Sequence, residues 1–122
     1  PDARGVWADT QISGGNLEAY LRSLLATWGT RLWVWLDPVC MRFPIPCPAG
    51  VGEALTVPAV QALRSQHPSH FSPDFLCRYC FFSGSDGRPA VVLFDTEDTC
   101  RQKLALLRRL GVQQVFGFLP RE

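Results

Sequence analysis

At 122 residues the chain has length for one domain with one core, and it falls well short of the roughly 250 residues of a complete eight-stranded (β/α) barrel. Its 47% hydrophobic and 19% charged content is that of a folding chain and excludes a disordered one. The net charge of +1 is spread along the sequence, so no basic stripe recommends nucleic acid or a membrane surface, and no apolar run approaches the roughly 18 residues of a membrane span.

Gly5–Thr10 reads as a short strand, closed by Ser13-Gly14-Gly15. Asn16 is an N-cap, and Leu17, Leu21, Leu24, Leu25 and Trp28 recur at helical spacing before Gly29, which predicts a helix over Asn16–Trp28. Arg31–Leu36 reads as a strand with Trp33 and Trp35 on one face and Leu32, Val34 and Leu36 on the other. The stretch from Asp37 to Gly52, broken by Pro38, Pro44, Pro46 and Pro48, is expected to be a stiff loop with few backbone donors. Thr56 caps a helix over Val57–Gln66, with Pro58 tolerated in the first turn, and His67–Pro73 breaks the pattern.

Phe75–Phe82 and Ala90–Phe94 are β-branched and aromatic runs flanking the turn cluster Ser83-Gly84-Ser85-Asp86-Gly87, which predicts a hairpin. A helix follows over Thr96–Leu110, with Cys100, Leu104, Leu107 and Leu110 on one face. Glu97 and Asp98 open it and Arg108 and Arg109 end it, matching the helix dipole, and Gly111 stops it. Gln113–Leu119 is apolar apart from its two glutamines, the pattern of a parallel strand covered on both faces.

Five cysteines raise the question of a metal or redox site. Cys77 and Cys80 have Cys-x-x-Cys spacing, but in a predicted strand these positions point to opposite faces, and Cys40, Cys47 and Cys100 supply no second zinc knuckle. Buried free thiols are the expected reading, and neither metal nor cofactor is anticipated. The odd, unpatterned count and the lack of a recognisable signal peptide favour a reducing compartment such as the cytoplasm. His67 and His70 lie between prolines without a carboxylate partner nearby in sequence and read as solvated loop residues.

The hairpin strand ending in Phe94-Asp95, the hydroxyl residue Thr99 at the next helix start and Lys103 four residues later resemble the C-terminal end of family 18 glycoside hydrolases. The likeness is greatest to the bacterial branch that acts on spore cortex and other peptidoglycan. In that family the last strand follows a glycine-containing helix stop and ends in a tryptophan that floors the sugar subsite; here Gly111 fits the stop and Phe118 takes the tryptophan's place. Arg31–Leu36 with Pro38, and then Phe43-Pro44-Ile45-Pro46 with Pro48, resemble the seventh strand and its proline-rich loop, although Leu36-Asp37-Pro38 stands where a tyrosine-glycine pair is usual. Val6-Trp7-Ala8-Asp9 resembles the sixth strand, whose acidic residue contacts substrate. The likeness runs over nearly the whole chain, and the family's Asp-x-x-Asp-x-Asp-x-Glu catalytic run is absent from it. Asp95-Thr96-Glu97 is the one Asp-x-Glu triplet, and its place at a helix start assigns those carboxylates to capping.

The expected fold is therefore a single α/β domain, a partial (β/α)-barrel-like unit of about three parallel strands, two crossover helices and an inserted helix plus antiparallel hairpin. The resemblance implies a non-catalytic relative that binds N-acetylglucosamine-containing glycans or acts as a scaffold; the alternative is a C-terminal fragment or subunit of an active hydrolase whose catalytic strands lie elsewhere. No catalytic residue is assigned. The ligand group it implies is Asp9, Trp35, Asp37 and Phe118, at the strand ends where α/β folds bind ligands. A three-strand arc leaves its inner face open, so either the hairpin and proline-rich loop cover it or the chain self-associates or pairs with another subunit.

Overall fold

The computed structural model describes residues 5–12, 15–47, 52–84 and 86–117. Of the residues singled out from the sequence, Ser13, Gly14, Pro48, Ser85, Phe118 and Leu119 lie outside these. In chain order the elements are β1 (Val6–Asp9), α1 (Leu17–Trp28), β2 (Leu32–Leu36), β3 (Cys40–Pro44), β4 (Glu53–Ala54), α2 (Val57–Gln66), β5 (His70–Ser72), β6 (Cys77–Ser83), β7 (Pro89–Phe94), α3 (Glu97–Leu110) and β8 (Gln114–Gly117). They build two sheets: a parallel one in the order β1-β2-β8, and a second in the order β4-β3-β7-β6-β5 whose pairings are all antiparallel.

Helix α1 follows β1 and α3 leads into β8, and the two pack on one face of the parallel sheet. Leu17 and Leu21 of α1 and Leu106 and Leu107 of α3 meet Ala8, Leu32 and Val34 in one buried cluster. This is the placement that right-handed crossovers give. Asn16 caps α1 by accepting the Ala19 N–H at 3.0 Å. α3 opens with a reciprocal cap: Thr96 Oγ1 accepts the Thr99 N–H at 3.1 Å, and Thr99 Oγ1 accepts the Thr96 N–H at 2.8 Å. It closes at Gly111, whose φ of 85° is cheap only for glycine, with the Val112 N–H bonded back to the Leu107 carbonyl.

Three expectations are corrected. The proline-rich stretch after Asp37 contains β3, since Pro38 precedes the strand and Pro44 ends it, where a missing N–H breaks no interior rung. His70, expected in a loop, belongs to β5, a three-residue edge strand held by β6 and by Arg78, whose guanidinium donates to Ser69 Oγ and to the Ser69 carbonyl. β8 is not covered on both faces: among the described residues it has one strand neighbour, β2, and Gln114, Phe116 and Gly117 are exposed.

The described residues of the hairpin and proline-rich segment do not fold over the inner face of the parallel sheet. They form the second sheet, which buries one of its own faces beneath α2 through Val60, Cys80, Val92 and Phe94. Trp7 and Trp35 of the parallel sheet stay about half exposed.

Gly117 ends β8 opposite Leu36 with a φ of 103°, and a Cβ there would lie 2.5 Å from the Leu36 carbonyl oxygen. Gly117→Ala is expected to cost about 1–3 kcal/mol from backbone strain, with the clash adding to it, read as a lower urea midpoint at unchanged m-value.

Candidate functional site

Register brings the site together. β1 and β2 run parallel with Trp7 opposite Trp33 and Asp9 opposite Trp35, while Trp35 faces Phe116 across to β8. Alternation along the strands then places Trp7, Asp9, Trp33, Trp35 and Phe116 on the face away from the helices. Their rings form one cluster: centroids lie 5.0 Å apart for Trp7 and Trp33, 6.1 Å for Trp7 and Trp35, and 5.2 Å for Trp7 and Phe116. Trp7 is 52% exposed, Trp35 45% and Phe116 39%, so the face is an open aromatic floor.

At the C-terminal rim of this floor stand two carboxyls. Asp9 accepts the Gln11 N–H at 2.8 Å. Asp37, just past β2, donates its N–H to Thr10 Oγ1 at 3.0 Å, and Gln11 Nε2 donates to the carbonyl of Pro38 at 3.1 Å. Burial, and after it the neighbouring Asp9 carboxyl, hold Asp37 above the ordinary aspartate range, while the Lys103 ammonium pulls it down.

Beyond Gln11 the rim continues into an apolar cleft of about 300 Å³ against the second sheet, lined by Ile12, Phe43, Ile45, Phe75, Val91 and Leu93. The two sheets are tied beneath it by Asp95. Its side chain accepts the Val39 N–H at 2.8 Å, the Thr99 hydroxyl at 2.6 Å and the Lys103 ammonium at 2.6 Å, and its own N–H donates to the Val39 carbonyl at 2.9 Å. Helical side chains tilt toward the N-terminus, so Thr99 and Lys103, one turn apart, both reach back to Asp95. The ion pair is dry, with the Lys103 and Asp95 side chains 2% and 1% exposed.

The structure thus joins Asp9, Trp35 and Asp37 of the sequence-derived group; Phe118 lies outside the described residues. Sequence reasoning missed Phe116, which shares the parity of Phe118 along β8 and was open to the same alternation argument. It also assigned Asp95 to capping, whereas Thr96 is the cap and Asp95 is the buried anion of a network. Cys77 and Cys80 face opposite ways, Cys77 toward Lys103 and Cys80 into the cluster under α2. Burial pushes the Cys77 and Cys100 thiols up to about 11, so both stay protonated and pack as small apolar groups.

By sequence, no family profile and no curated protein matches the chain. By structure it is similar to the spore cortex-lytic enzyme SleL of Bacillus megaterium (TM-score 0.69, 10% identity), covering 94% of this chain and 30% of that one. It is equally similar to a chitinase of Chromobacterium violaceum (TM-score 0.69, 12% identity, 94% of this chain and 40% of that one). SleL of Bacillus cereus gives a TM-score of 0.65 at 12% identity, over 84% of this chain and 25% of the other. The fold is therefore a partial, barrel-like α/β one, and the chain spans well under half the length of these neighbours.

Two predictions concern the rim and the joint. Removing one partner of a buried ion pair strands the other, so Lys103→Met is expected to lower stability by about 3–5 kcal/mol in chemical unfolding. For Asp37 the folded state favours the neutral acid, so ionisation costs stability above its folded-state pKa and costs nothing below the unfolded one. Asp37→Asn should therefore raise the unfolding midpoint at neutral pH, and the gain should fade as the pH falls through the carboxylate range.

Proposed function

We propose that the chain is a non-catalytic glycoside-hydrolase-like domain whose strand-end group binds N-acetylglucosamine-containing glycans. The observation that carries this is the meeting of Asp9, Trp35 and Asp37 at the C-terminal edge of a parallel sheet in a glycosidase-like fold, the edge where such folds place ligands. An exposed indole face stacks on the apolar face of a sugar ring, and carboxyl oxygens beside it accept hydroxyl hydrogen bonds. Hydrolysis is not supported by the same group. The Asp-x-x-Asp-x-Asp-x-Glu run that carries the acid in the family the sequence resembles is absent from this sequence. Titrating N-acetylglucosamine oligomers to millimolar concentration should quench or shift tryptophan fluorescence saturably, and Asp9→Ala should weaken the response. No response in the wild type would remove the proposal.

One observation favours a second reading. The aromatic floor is open, and chains of this fold carry most of their length outside the aligned part. On that reading the sheet is closed by further strands, from catalytic units elsewhere or from a second copy of this chain. Exposed Trp7, Trp35 and Phe116 make a contiguous apolar patch of the kind that drives association. Sedimentation at micromolar concentration is expected to show a species heavier than the monomer, and a clean monomer would contradict self-association.

A further inference from the structure

We infer that the apolar cleft beside the rim is a subsite for an aliphatic chain carried by the sugar, which makes the ligand an alkylated or acylated glycan; this rests on the reading of the rim as the sugar site. The cleft is continuous with that rim, because Ile12 lines it and follows Gln11, whose side chain donates to the Pro38 carbonyl at 3.1 Å. None of the side chains lining it carries an oxygen or a nitrogen. The backbone of its wall is occupied as well. β7 pairs with β3 on one side and β6 on the other, the Ile45 N–H donates to the Pro89 carbonyl at 3.1 Å, and Pro44 has no N–H. A bare sugar in the cleft would leave its hydroxyls without partners, whereas methylenes would cover apolar surface that water wets.

Two features of the chain build the cleft before any ligand arrives. Register supplies the wall: Val91 and Leu93 stand two apart on β7, Phe43 lies opposite Val91 on β3, and Val92 between them turns the other way into the cluster under α2. Backbone strain supplies Phe75. The next residue, Leu76, has a φ of 52°, in the left-handed region that leucine rarely adopts. That conformation puts neighbours on opposite sides, with Leu76 packed against the core of the parallel sheet and Phe75 in the cleft. The turn is fixed by the Leu76 N–H on the Ser72 carbonyl at 2.8 Å, the Phe75 N–H on Ser72 Oγ at 3.2 Å, and the Asp74 carbonyl accepting the Leu17 N–H of α1 at 2.7 Å. Strain held this firmly keeps an aromatic wall in place, which lowers the ordering cost of binding.

The test compares three probes below their micelle-forming concentrations: the methyl β-glycoside of N-acetylglucosamine, its hexyl β-glycoside, and the methyl β-glycoside of N-hexanoylglucosamine. The two longer ones separate a chain on the anomeric oxygen from one on the amide nitrogen. Full burial of one methylene is worth about fourfold in affinity, so with partial cover at least one longer probe is expected to bind about tenfold tighter than the methyl glycoside. Val91→Asp should abolish that gain. Should Val91→Asp not fold, NOEs from the chain protons to the Val91 and Leu93 methyls of the wild type decide in its place. No gain from either chain, or a gain without those NOEs, would overturn the inference, and the rim proposal would stand wherever the methyl glycoside still binds. A silent methyl glycoside beside a chain-dependent response with those NOEs would sink the rim proposal alone, and silence from all three probes would sink both.

Discussion

The joint between the two sheets depends on one carboxylate that water does not reach. Asp95 terminates β7, begins the turn into α3, and accepts hydrogen bonds from the β2–β3 link, from the first turn of α3 and from Lys103 in its second. An ion pair of this kind is a poor source of net stability, because desolvating two charges offsets most of their attraction, and well-packed apolar residues would serve the fold as well. What it supplies is direction. A leucine in place of Asp95 would fill space but could not accept the Val39 N–H, and the link between the sheets would lose its anchor. The reciprocal threonine cap places Thr99 where its hydroxyl can serve both the helix start and Asp95.

The two sheets divide the work. The parallel sheet buries one face under α1 and α3 and leaves the other as an aromatic floor, while the antiparallel sheet buries one face under α2 and turns an apolar wall toward the rim. In a complete barrel the floor would be interior, shielded by further strands that are absent among the described residues. Here four rings cover one another at centroid distances of 5.0–6.2 Å, which reduces the apolar area left to water without removing it. On the two proposed readings the same exposed Trp35 face would serve a sugar ring or another polypeptide, so the two would compete for it.

Most of the parallel sheet and its helices was legible in the sequence. Each signal there is local: a cap at Asn16, an apolar stripe, a glycine at the stop. Alternation in β2 correctly separated Trp33 and Trp35 from Leu32, Val34 and Leu36. β3 and β5 were not legible because each is short, bracketed by prolines and stabilised by partners distant in sequence, Phe94 for Cys40 and Tyr79 for His70. The site was half legible. Resemblance picked out Asp9, Trp35 and Asp37, but their placement at one sheet edge depends on how β1 and β2 align, which no local pattern encodes. Lys103 was visible only as a motif position. Its burial follows from the helix face it shares with Thr99 and from the anion waiting two turns back.

The central claim is that the strand-end group, and not the apolar cleft or the helix-covered side, receives the sugar. Isotope-filtered NOEs between the labelled protein and an N-acetylglucosamine trimer test it most directly. Contacts from sugar ring protons to the Trp35 indole, with Trp7 or the Gln11 side chain beside it, are the predicted result. Contacts confined to Phe43, Val91 and Leu93, or none at all at saturating sugar, would contradict it.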